Sequence, residues 1–106
     1  MPETISETET RRRVPALYDS AAALEIELEE LSQRNADSPL SAAQIGVFNQ
    51  ILADSRALLP GSAALREDVG EAVATSRSID VHHALNTTVT PTLRNALPPG
   101  EYEQRG

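Results

Sequence analysis

The sequence predicts an all-α protein, folded as an up-down bundle of three to four helices. Apolar residues recur at spacings of three and four along most of the chain, which is the period of a helix with one buried face. The connections between these stretches are short and carry Pro, Gly, Asn and Ser, which favours antiparallel neighbours. Ala and Leu, both strong helix formers, are the commonest residues, with 15 and 12 copies among 106.

The first predicted helix carries the most regular apolar pattern. Its a/d seam consists of Val14, Leu17, Ala21, Leu24, Leu28 and Leu31. Because Pro15 is compatible only with the first turn of a helix, we expect the helix to begin near Val14 or Pro15 and to end near Arg34. Residues 1–13 are expected to form a flexible acidic tail that ends in the arginine triplet Arg11–Arg13.

The second predicted helix has a clear start and a clear stop. Ser41 and Gln44 have the spacing of a capping box, in which each side chain binds a backbone N–H that the helix leaves unpaired. Alternatively, Ser38 caps the helix and Pro39 takes its first position. The apolar stripe consists of Ile45, Phe48, Ile51, Leu52 and Leu59. Pro60-Gly61 ends the helix.

A third helix is expected to start near Ser62. Its face consists of Leu65, Val69, Ala72, Val73 and Ser76. Gly70 weakens this helix by about 1 kcal/mol relative to Ala. Because the face is small and rich in Ala, it would allow a partner helix to approach closely. The helix either ends before Ser78, which then caps the next one, or passes through it.

The fourth segment has apolar residues at every fourth position, namely Val81, Leu85, Val89, Leu93 and Leu97. Several Thr residues lower its helix propensity, and Pro91 removes one ladder hydrogen bond. We therefore expect a helix that is kinked or broken near Thr90-Pro91, with Thr90 as the cap of a new short helix. A strand through residues 86–90 is the alternative. Residues 14–97 thus form a single helical domain, and residues 98–106 form a C-terminal tail.

Charge and composition exclude several classes of function. The formal net charge is -7, which argues against nucleic acid and anionic membranes as partners. The chain has no Cys, so it has no disulfide, thiolate nucleophile or Cys-based metal site. It has neither an apolar leader nor a stretch long enough to span a membrane, and we expect a cytoplasmic protein.

The nine basic residues are all Arg, and Lys is absent. With the acidic residues Glu25, Glu27, Glu29, Glu30, Glu67 and Asp68, this composition resembles that of small haloarchaeal proteins. That resemblance implies an acidic surface adapted to high salt. A genome of high GC content would also favour Arg and Ala over Lys.

The acidic excess is concentrated on the first helix. In its heptad, Glu25 falls at e and Glu27 at g, so parallel self-pairing along this seam would oppose like charges. The acidic face is either a solvated surface or a docking surface for a basic partner. The triplet Arg11–Arg13 either contacts nucleic acid or balances the glutamates before it.

Few residues suggest site chemistry. Asp80, His82 and His83 are candidate metal ligands, because carboxylate and imidazole suit zinc, iron or manganese. Adjacent His residues on a helix point about 100° apart, so a site would need another ligand, such as Glu71. The chain carries no nucleophile elbow, Walker loop or dinucleotide fingerprint, and neither an enzyme nor a cofactor is predicted.

The leading functional hypothesis is a non-catalytic protein that acts by self-association or by docking another helical protein, with a homodimer favoured. The predicted interaction face consists of Val14, Leu17, Ala21, Leu24, Leu28, Leu31, Leu65, Val69, Ala72 and Val73. The alternatives are a metal- or ligand-binding protein centred on Asp80, His82 and His83, and a regulator that contacts DNA through Arg11–Arg13.

Overall fold

A computed structural model describes residues 7–97, with side chains from residue 12 onward. The chain is an all-α helical bundle, as predicted. Four α-helices occur in the described residues: α1 (Glu7–Arg34), α2 (Ala42–Leu58), α3 (Ser78–Ala84) and α4 (Thr90–Asn95). Two π-helical turns accompany them, at Ala64–Asp68 and Leu85–Val89. Within the same residues, β pairing is limited to one isolated bridge between Pro39 and Arg77.

The long helix α1 is the centre of the bundle and contacts α2, α3 and α4. The helix α2 runs antiparallel to it. Glu27, in the C-terminal half of α1, accepts a hydrogen bond from Gln44 at the start of α2, and Arg13 shares a groove with Asp54 near the end of α2. The predicted a/d seam of α1 forms one wall of the core, since Val14, Ala21 and Leu28 are wholly buried.

The start of α1 differs from the sequence prediction. The helix begins at Glu7, so Pro15 lies inside it and residues 7–13 are helical rather than a tail. Pro15 removes one ladder hydrogen bond, yet α1 continues on both sides of it, beside the fully buried Val14. Residues 1–6 and the predicted C-terminal tail, 98–106, lie outside the described residues.

The start of α2 follows the predicted capping box. The backbone N–H of Gln44 donates to Ser41 Oγ at 3.1 Å, and the backbone N–H of Ser41 donates to Gln44 Oε1 at 2.9 Å. The alternative start at Pro39 is not used, because Pro39 pairs with Arg77 in the isolated bridge. The side-chain amide of Gln44 also donates to Glu27 Oε1 at 2.9 Å, which links the cap to α1.

The predicted third helix is wrong. Between Ser62 and Ser76 the helical structure is limited to the turn Ala64–Asp68, and Val69 is extended, with φ -126 and ψ 127. Leu65, Val69 and Ala72 are nevertheless buried, as expected for the apolar side of this segment, whereas Val73 is 56% exposed. The apolar pattern therefore predicted the burial of Leu65, Val69 and Ala72 correctly, but it did not predict the secondary structure of this segment.

Two side chains of α2 explain why this segment is not a helix. Asn49 exchanges two hydrogen bonds with the backbone of Ala72, at 2.7 and 3.0 Å. Arg56 donates to the carbonyls of Leu65 and Val69, at 2.8 and 2.6 Å. Since Asn49 and Arg56 are two helical turns apart, they lie on one face of α2. They satisfy backbone groups that a helical ladder would otherwise satisfy, and Gly70 weakens that ladder further.

The start of α3 is tied to the loop that follows α1. The backbone N–H of Ser78 donates to the Ser38 carbonyl at 2.8 Å, and the N–H of Ile79 donates to the Ala36 carbonyl at 3.3 Å. The buried Ser78 hydroxyl donates to the carbonyls of Asn35 and Ala36. Ser78 is thus the first residue of α3 rather than its cap. The loop carbonyls satisfy N–H groups that a helix leaves unpaired at its start.

The fourth segment is interrupted by a π-helical turn rather than by a new cap. Thr90 has helical angles, with φ -63 and ψ -47, and its N–H donates to the Leu85 carbonyl five residues back. Pro91 follows directly. A proline ring clashes with the carbonyl four residues before it in a regular helix, and the wider π turn relieves that clash. No strand occurs between residues 86 and 90.

Replacing Arg56 with Met tests the anchoring of the extended segment. The substitution keeps the aliphatic stem but removes two charge-assisted hydrogen bonds, so we expect the free energy of unfolding to fall by about 2 to 3 kcal/mol. The measurement is urea denaturation followed by circular dichroism. Arg66→Met is the control, because Arg66 donates to the Pro60 carbonyl at the exposed surface. Its loss should stay within about 0.5 kcal/mol, and equal losses in both variants would contradict the anchor.

A second prediction concerns the buried hydroxyl of Thr90. Its Oγ1 has no hydrogen-bond partner among the described residues, and the residue is 3% exposed. Thr90→Val should therefore raise the free energy of unfolding by about 1 kcal/mol, since a desolvated unpaired hydroxyl is replaced by a methyl group. Thr87→Val is the control, because its exposed hydroxyl donates to the His83 carbonyl at 2.7 Å. The prediction is refuted if Thr90→Val lowers the free energy of unfolding by more than Thr87→Val does.

Candidate interaction face

Most of the interaction face predicted from the sequence is covered by the chain itself. Of its ten residues, eight are buried in the core: Val14, Leu17, Ala21, Leu24, Leu28, Leu65, Val69 and Ala72. Leu31 is partly buried against that core, and Val73 is exposed on the extended segment. A partner would therefore have to contact other surfaces of this fold.

The outer face of α2 is a second helical seam, opposite the core. We call it the outer seam; it consists of Ala43, Gly46, Gln50, Ala53 and Ala57, all of them exposed. The spacings are three, four, three and four, as in a heptad. The two charged residues of α2 lie beside it: Arg56 binds the extended segment, and Asp54 lines a groove with Arg13. The five residues of the outer seam carry no charge, and Asp54 beside it accepts a hydrogen bond from Gln50 of the seam at 2.9 Å.

A groove between α1 and α2 lies beside the outer seam and shares Ala43 with it. It has a volume of about 360 Å³ and is lined by Ala23, Leu24, Ala43 and Val47 together with Ser20, Glu27 and Gln44. Val47 is 47% exposed, one of four large aliphatic residues that the described surface leaves exposed.

Gly46 is an exposed glycine within α2. A Cβ atom built on Gly46 meets no heavy atom within 4 Å, and the same is true of Gly61 and Gly70. A glycine inside a helix costs about 1 kcal/mol relative to alanine, so Gly46→Ala fits the described chain without a clash.

The candidate metal ligands do not come together as a metal centre. Both carboxylate oxygens of Asp80 accept hydrogen bonds from Arg77, at 2.9 and 3.2 Å, and Arg77 also binds Asp37 at 2.8 Å. His82 is partly buried and His83 is exposed. Among the described residues, no group of three or more His, Asp or Glu is placed to hold a metal ion. The positive charge that a cation would supply to Asp80 comes instead from a guanidinium.

Glu71, the extra ligand suggested by the sequence, does lie near Asp80. Both line a concavity beside the buried Phe48, together with Asp68. The hydrogen bonds from Arg77 hold the pKa of Asp80 below its ordinary value, and Asp80 and Asp37 raise the pKa of Arg77. The metal-binding hypothesis stays a prediction that this geometry does not favour.

The described charged side chains of α1 give its two halves different charge. The exposed ones are Arg12, Arg13 and Asp19 in the first half and Glu27, Glu29, Glu30 and Arg34 in the second half. The side chain of Arg11 lies outside the described part of the chain. Glu25 is partly buried, and its Oε1 has no hydrogen-bond partner among the described residues. The described exposed glutamates therefore lie in the part of α1 that meets the start of α2.

Comparison of the chain with protein-family models, with curated proteins and with solved structures finds no match. Within the described residues, none of the helices combines the length and the apolar character needed to cross a membrane.

The Arg77–Asp80 pair predicts a pH dependence. Because the folded pKa of Asp80 is lowered, the pair stabilises the fold above the unfolded pKa of about 3.9, and this stabilisation is lost as the pH falls through the folded value. NMR titration of the Asp80 carboxyl should give a midpoint below 3.9. In Arg77→Gln the midpoint should rise towards that value. An unchanged Asp80 midpoint in Arg77→Gln would contradict the assignment.

Proposed function

We propose that this chain is a non-catalytic interaction protein that acts by self-association, with the outer seam of α2 as its contact surface. The supporting observation is that the outer face of α2 is open to solvent and carries small residues and one amide, with no charged residue among the five residues of the outer seam. A second copy of the chain is the occupant that the distribution of charge favours.

The net charge of the chain limits where two copies can meet. Each copy carries a formal charge of -7, so most contacts between copies would oppose like charges. In a twofold dimer the same patch contacts itself, and every charge in the patch has a copy nearby. A patch without charged residues avoids this repulsion. A basic partner, in contrast, would be drawn to the glutamates of α1 rather than to the outer seam.

Salt should strengthen the association rather than weaken it. The copies repel one another at long range, and salt screens that repulsion, whereas the uncharged contact itself has no ion pairs to lose. We therefore expect a larger dimer fraction at high salt than at low salt. This behaviour would also suit a protein from a high-salt environment, as the compositional resemblance implies.

A charge placed in the outer seam tests the proposal. Ala53→Glu puts an unpaired carboxylate at the contact in both copies, which should weaken association at least ~100-fold, since a buried unpaired charge costs about 3 to 5 kcal/mol. The measurement is sedimentation equilibrium of wild type and variant over a range of concentrations, at low and high salt.

The matched control is Ala74→Glu, the same substitution at an exposed position outside α2. It adds the same charge and should leave the association constant nearly unchanged, and thermal unfolding should show that both variants fold. A wild-type protein that sediments as a monomer at all salt concentrations would refute self-association. Equal weakening by both variants would place the contact elsewhere.

A further inference from the structure

We draw no further inference here: the strongest candidate, the concavity of about 200 Å³ beside Phe48 that Asp68, Glu71 and Asp80 line, carries nothing, because Arg77 already binds Asp80 and nothing in the described residues shows what the other two carboxylates would hold.

Discussion

The hydrogen bonds from α2 to the main chain of residues 65–72 are the constraint on which the rest of the fold depends. Arg56 and Asn49 hold this segment, the end of a π-helical turn followed by extended chain from Val69, along one flank of α2, and the segment buries its apolar side chains there. A third long helix is therefore unnecessary to cover that flank. Since α1 covers the opposite flank and the core lies beneath, only the outer face of α2 stays open.

The same constraint explains how the chain returns to α1. Once residues 65–72 are fixed on α2, the chain reaches the loop after α1, where the carbonyls of residues 35–38 accept the first N–H groups of α3. The Arg77–Asp80–Asp37 contacts reinforce that junction at the surface. The final helical segment then runs beside α1. Asp80, a predicted metal ligand, is thus part of the junction that connects the start of α3 to the loop after α1.

The sequence indicated the fold class, the capping box at Ser41 and the buried seam of α1, because these depend on local patterns. It did not reveal the extended segment, since the partners of Leu65 and Ala72 are side chains on another helix, far along the chain. The predicted start of α1 near Val14 or Pro15 is wrong, because proline is disfavoured inside an isolated helix, whereas in the fold Pro15 lies within α1 next to the fully buried Val14. The apolar pattern of α2 indicates its core face and gives no signal for the outer seam of small residues.

The hydrogen bonds between Ser78 and the loop after α1 bear on the order in which the chain folds. The Ser78 hydroxyl binds the carbonyls of Asn35 and Ala36, which precede it in the sequence by 43 and 42 positions. The loop that these hydrogen bonds close is therefore long relative to the chain. Closing such a loop costs chain entropy that only later contacts repay. The hairpin of α1 and α2 needs no such closure and can form first from contacts near in sequence. On this route the C-terminal third of the chain docks last, against the surface of the hairpin that α1 and α2 have already formed.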